Sequence, residues 1–237
     1  MIIILGDSWG LGEWGRDESG HCLTGPGIAQ YFSLQDPSRV INLSEGGSSN
    51  SLQLEYFKQF LIQFKPFKGD VIYWIVSDPL RCVDSFEEFC SESGTLEYLI
   101  QKKITDFISR VNDIVEQYDN INCVRLIGGL CDLNNIDVTE YKKIEMTVPS
   151  WCKLLASEYI TSPYCTDRLA ELGEAVKKYN PKLLEEWQQI STQTLVKRDS
   201  FDKLITQQGL SNDGYHPNRY GHKKLRDFLY PKFANKS

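Results

Sequence analysis

The chain reads as an α/β protein, a three-layer α/β/α sandwich around a central parallel sheet of the flavodoxin-like kind. Three observations predict it: short β-branched apolar runs recur along the sequence, helical apolar periodicities separate them, and a polar Gly6-Asp7-Ser8 cluster follows the first run directly.

The first run, Ile2-Ile3-Ile4-Leu5, has the length and composition of a strand buried on both faces, and Gly6 ends it. Val40-Ile41-Asn42, Val71 to Val76 and Val124-Arg125-Leu126-Ile127 are the next strands. Leu52, Tyr56, Phe60 and Phe64 recur at four-residue steps and predict a helix that turns them inward. Leu96, Leu99, Ile100, Ile104, Phe107, Ile108, Val111, Ile114 and Val115 form one face of a long helix. Leu169, Leu172 and Val176 give a further helical face that Asn180-Pro181 interrupts. Pro181 suits the first turn of a new helix carrying Leu183, Leu184, Trp187 and Ile190. From Pro217 onward, Tyr220, Leu225, Phe228 and Leu229 predict a closing helix. Strand and helix therefore alternate, which predicts a parallel sheet covered on both sides.

Residues 1–237 are read as a single domain, with no repeat or linker. Two stretches depart from the alternation and are candidate lids or pocket walls. One is the acidic excursion at about 82–94; the other spans about 131–167, where Val148-Pro149-Ser150-Trp151 starts a helix and Trp151, Tyr159 and Tyr164 are available to line a surface.

A net charge of −6 without basic clusters argues against nucleic acid or an anionic membrane as the main partner. No apolar stretch is long enough for a bilayer, and no leader pattern precedes Ile2, so a cytoplasmic protein without membrane insertion is expected. The seven cysteines are odd in number and lack any Cys-x-x-Cys pair, which reads as reduced thiols and no zinc site. No cofactor or metal is expected, and the oligomeric state is left open.

The chemistry is carried by the two ends of the chain. Ser8 sits at the carboxyl end of the first strand, where open α/β sheets place their ligands. His216 precedes Pro217, which biases it to extended backbone at a loop-to-helix junction. Asp213, three residues earlier, is spaced to accept the Nδ1 proton of His216 and leave Nε2 free for a serine hydroxyl. Of the other histidines, His21 lies in a polar loop that could reach the cleft, and His222 is expected on the surface of the last helix.

Gly6-Asp7-Ser8, the block Asn42-Leu43-Ser44-Glu45-Gly46-Gly47 and Asp213-Gly214-Tyr215-His216 together resemble the SGNH hydrolases, or GDSL-type esterases, over nearly the whole chain. The resemblance implies Ser8 as nucleophile, His216 and Asp213 as base and acid, and the backbone N–H groups of Ser8 and Gly47 as oxyanion donors. The third block departs from the family: where Gly-x-Asn-Asp is usual, this chain has Ile75-Val76-Ser77-Asp78. The amide of Asn50 and the hydroxyl of Ser77 are the candidate replacements for the missing asparagine donor. Arg81 either clamps an anionic substrate group or pairs with Asp78, and Trp9, with Trp14, Trp74 and Trp151, is a candidate sugar-stacking surface.

The expected activity is hydrolysis of a carboxylic ester through an acyl-serine, with a short acyl group such as acetyl on a carbohydrate or small molecule. The rivals are an acyltransferase, a lipid or thioester hydrolase on the same residues, and a degenerate SGNH-like binding or structural module.

Overall fold

The computed structural model describes residues 1–16, 18–19, 21–35, 40–129, 133, 136–147, 150–155, 166–192 and 216–234. Its centre is a five-stranded, wholly parallel sheet built from β1 (Ile2–Leu5), β4 (Val40–Asn42), β5 (Val71–Val76), β6 (Val124–Gly128) and β7 (Ile144–Thr147). The order across the sheet is β4-β1-β5-β6-β7, the flavodoxin-like arrangement, with β1 flanked by β4 and β5. Glu13–Arg16 (β2) and Cys22–Thr24 (β3) form a separate antiparallel pair.

Side chains alternate along the strands, so each strand feeds two cores. Ile3, Leu5, Ile72, Trp74, Val76 and Leu126 point to one face, where α3 (Asn50–Gln63) and α5 (Leu96–Val115) cover them with Leu54, Phe57, Phe60, Phe107, Ile108 and Val111. Ile2, Ile4, Tyr73, Ile75 and Ile127 point to the other, under α2 (Ile28–Gln35), α6 (Trp151–Leu155) and α9 (Arg219–Ala234). A third cluster joins Leu80 and Val83 to α4 (Phe86–Ser91), α5 and α7 (Thr166–Tyr179). A 3₁₀ turn at Pro181–Leu183 then leads into α8, helical over 184–192. α1 is the short helix Ser8–Leu11.

The inward face of α5 consists of the nine residues that the periodicity picks out, Leu96 to Val115, and Thr95 caps it by accepting the Tyr98 N–H. The face of α3 is different from the one expected. Asn50, Gln53, Leu54, Phe57, Phe60 and Leu61 are buried, whereas Leu52 and Phe64 are exposed. A strict four-residue step drifts off a helix of 3.6 residues per turn, and the buried stripe follows the 3–4 alternation instead.

The excursion at 82–94 folds as α4, with Phe89 and Cys90 buried against α5 and α7. Cys82 and Cys90 carry no disulfide. Among the described residues no helix is long and apolar enough to cross a membrane.

His222, expected at the surface, is fully buried on the first turns of α9, and among the described residues neither ring nitrogen meets a well-aligned hydrogen-bond partner. It packs edge-on against Trp151, ring centroids 5.0 Å apart. Burial lowers its pKa to about 3 from the ordinary 6.5; nearby His216 adds to the shift and the Pro217 carbonyl opposes it.

Two outcomes follow from this packing. The unfolded chain binds a proton on residue 222 near pH 6.5 that the folded chain refuses until about pH 3, so this residue destabilises the fold progressively as pH falls through that window. The unfolding free energy from urea titrations should therefore fall more steeply below pH 6.5 for wild type than for His222→Phe, by up to about 1.4 kcal/mol per pH unit; parallel slopes would show that the ring titrates normally. Separately, a Cβ on Gly173 would lie 2.4 Å from the Trp187 ring, which is pinned by its N–H donating to the Leu169 carbonyl at 2.9 Å. Gly173→Ala gains about 1 kcal/mol of helix propensity but overpacks by about 1–3 kcal/mol. A lower midpoint in the same titration is expected, and an unchanged or higher one would mean that the indole yields freely.

Candidate active site

β1 delivers Gly6-Asp7-Ser8 to the carboxyl edge of the sheet, where the chain turns into α1. Asp7 caps this helix: its Oδ1 accepts the Trp9 N–H at 3.0 Å. At the other end, Asn42 of β4 donates its side-chain amide to the Gly10 carbonyl at 3.0 Å. Ser8 is therefore held in a short, capped helix and is itself only 2% exposed.

His216 arrives from the far end of the chain, 208 residues away, and its Nε2 lies 2.8 Å from Ser8 Oγ. Asn218 caps α9 just beyond it, its Oδ1 accepting the Tyr220 N–H at 2.9 Å and the Gly221 N–H at 3.1 Å. The imidazole thus stands at a loop-to-helix junction, the place that the following proline predicts. Asp213 lies outside the described residues.

The glycine block is tied to the same turn. Glu45 N–H donates to the Gly6 carbonyl at 3.1 Å, the Ser48 hydroxyl reaches the same carbonyl at 3.2 Å, and Gln53 accepts the Gly6 N–H at 3.1 Å. Gly47 is exposed at φ +74°, a left-handed conformation natural to glycine, and a Cβ there would meet nothing within 4 Å. Among the described residues, neither its N–H nor that of Ser8 meets an acceptor.

The two candidate replacement donors are engaged elsewhere. The Asn50 side chain forms a reciprocal pair with the Ser77 backbone, accepting its N–H at 2.8 Å and donating to its carbonyl at 3.1 Å. The Ser77 hydroxyl donates to Asp7 Oδ2 at 2.8 Å and lies 3.3 Å from the Ser48 carbonyl. Among the described residues, Arg81 Nη1 donates to Asp7 Oδ2 at 3.1 Å. Asp78 accepts the Leu80 N–H at 2.9 Å and starts the 3₁₀ turn Pro79–Cys82. Beside it, burial pushes the Cys82 thiol pKa up, which keeps the sulfur protonated and a poor nucleophile.

The aromatic surface expected from the sequence is core. Trp9 is 2% exposed and packs edge-to-face on Trp151 at 5.3 Å, while Trp74 lies between Phe57 and Phe107. Trp9 turns inward because Ser8 and Trp9 occupy successive positions of one short helix, and the position after Ser8 faces the sheet. The side chain of Trp14 lies outside the described residues. His21 is exposed.

Sequence reasoning missed the buried cluster Asp7, Ser77, Arg81. Its members are 70 and 74 positions apart, so local spacing carries no trace of it. The one available signal was the departure of the third block itself, which put a hydroxyl and a guanidinium where an amide is usual.

No protein-family model matches the chain, and no curated protein matches it in sequence. Solved structures do. A carbohydrate acetylesterase, Est24 of Sinorhizobium meliloti, superposes at a TM-score of 0.52 with 14% identity, covering 100% of this chain and 99% of that one. TesA matches at 14% identity and TM-score 0.46, covering 99% and 98% of the two chains. A lipase/acylhydrolase from Enterococcus faecalis matches at 13% and 0.42, covering 99% and 96%. With the strand order and the end-to-end likeness to Est24, the chain has the three-layer α/β/α fold of the SGNH hydrolases.

Proposed function

We propose that this protein is a serine hydrolase of carboxylic esters. The observation that carries the reading is the 2.8 Å contact between Ser8 Oγ and His216 Nε2 at the carboxyl end of β1. A hydroxyl at that distance from a neutral imidazole nitrogen is poised to transfer its proton as it attacks a carbonyl.

In the first half-reaction the Ser8 oxygen bonds to the acyl carbon as its proton passes to His216. The tetrahedral oxyanion is met by the N–H groups of Ser8 and Gly47. Collapse breaks the bond to the leaving alcohol, which takes the proton from His216. Water then repeats the sequence on the acyl-serine and releases the acid. Asp213 is the proposed partner of His216 Nδ1, orienting the ring and stabilising the imidazolium. For the substrate, a short acyl group, acetyl above all, on a carbohydrate or small molecule is proposed; the full-length likeness in fold to a carbohydrate acetylesterase supports it. The tryptophans lend no support, since Trp9, Trp74 and Trp151 are buried.

The test is p-nitrophenyl acetate hydrolysis and fluorophosphonate labelling of purified protein, read by mass spectrometry. Ser8→Ala should lose both while keeping the wild-type melting temperature; turnover that survives in it would remove the assignment. Asp213→Asn should lower kcat by on the order of 10⁴-fold if that carboxylate fixes the tautomer, and a loss under tenfold would make it dispensable.

The third block gives a separate outcome. Asn50 and Ser77 are held by Ser77 backbone and Asp7 respectively, so Asn50→Ala and Ser77→Ala should each lower the melting temperature and reduce kcat by less than about tenfold. A fall of about 10²–10³ in kcat at unchanged melting temperature would instead make that residue the third oxyanion donor.

A further inference from the structure

The nucleophile and the base come from opposite ends of the chain, and a 2.8 Å contact between them needs their two helices held at one separation. Ser8 begins α1 and is followed by Trp9. His216 precedes Pro217 and the capped first turn of α9, where the His222 N–H donates to the Asn218 carbonyl at 3.0 Å. One side chain touches both. Trp151, the first residue of α6 and fully buried, meets Trp9 edge-to-face at 5.3 Å and His222 edge-to-face at 5.0 Å. Its indole N–H also donates to the Gly221 carbonyl at 3.3 Å.

These contacts close a ring: Ser8 to Trp9 through the chain, Trp9 to Trp151, Trp151 to α9, α9 to His216, and His216 back to Ser8. Packing of α2 against α1 and α9 also brings the two helices together, but apolar surface has no preferred direction. The indole contact has one, because a ring edge against a ring face and an N–H on a carbonyl both lose energy when the partners slide. His222 suits the position because burial leaves it an uncharged flat ring.

We infer that Trp151 is a positioning residue that sets the separation of Ser8 and His216 by bracing Trp9 against the first turn of α9. The inference rests on the serine-hydrolase reading for its catalytic meaning, though the contact it concerns is measurable without turnover. It also gives Trp151 a role inside the core in place of the surface expected of it; Tyr159 and Tyr164 lie outside the described residues.

The experiment reads the ring nitrogen spectrum of ¹⁵N-histidine protein, which holds only three histidines, with His216 assigned from His216→Gln. In the wild-type background, Ser8→Ala should shift the His216 Nε2 signal. In a Trp151→Leu background the same substitution should move it by less than a quarter as much. Trp151→Phe, which keeps a ring but loses the N–H, should fall between. A full-size response in folded Trp151→Leu overturns the inference, and if that variant does not fold, a full-size response in Trp151→Phe does so alone. No response in the wild-type background removes the contact and the inference with it. With p-nitrophenyl acetate, Trp151→Phe should lower kcat by about 10–100-fold with KM within twofold, the pattern of a misaligned pair; a raised KM at unchanged kcat counts against it. Should wild type show no Ser8-dependent turnover, the hydrolase reading fails while the ring spectra still decide what Trp151 does.

Discussion

The Asp7 carboxylate is the constraint around which the candidate site is organised. It is 6% exposed, and a carboxylate so buried costs several kcal/mol unless donors surround it. Three do: the Trp9 N–H on Oδ1, and the Ser77 hydroxyl and Arg81 guanidinium on Oδ2. Each comes with its own piece of backbone. The first closes the turn that presents Ser8, the second ties that turn to the end of β5, and the third ties it to the 3₁₀ turn beyond. Arg168 in turn braces that turn from α7, donating to the carbonyls of Leu80 and Val83. Satisfying one buried charge thus closes the Ser8 turn and fixes it against two further segments.

This arrangement also gives the altered third block a physical meaning. An asparagine there would spend its amide on an oxyanion. Here the same stretch supplies a hydroxyl and a guanidinium, and both donate to Asp7. Asn50 cannot simply step in, because its amide closes a two-bond pair with the Ser77 backbone. On the proposed reading, the block holds a clamp on the scaffold where the resemblance implies an asparagine donor.

How much of this was legible in the sequence depends on how local each signal is. β1 and β5 were legible because strands buried on both faces leave continuous apolar runs, β4 and β6 because short β-branched runs stand between helical stretches, and α5 because a twenty-residue amphipathic helix repeats its stripe many times over. β7 was not. Ile144-Glu145-Met146-Thr147 is an edge strand with one half-solvated face, so Glu145 interrupts the apolar run and the segment reads as loop. Ser8 and His216 were legible from short motifs, since a capped turn and a pre-proline histidine are local features. Trp9, Trp151 and His222 were misplaced for the converse reason: whether an aromatic or imidazole ring faces water or core is decided by what packs on it from elsewhere in the chain.

The energetic consequence falls on the transition state. If only two backbone N–H groups meet the oxyanion, the site lacks one donor of the kind worth about 2.7–4 kcal/mol. Such a loss is tolerable when the remaining groups do not have to move. A donor already aligned contributes without reorganisation, whereas a flexible one loses part of its value in being ordered. The buried charge at Asp7, the glycine block bonded to Gly6 and the brace through Trp151 all act to that end, holding Ser8, Gly47 and His216 without recourse to a substrate. On the proposed esterase reading, a frame that is already stiff matters most for a substrate that brings little binding energy of its own with which to order the groups around it.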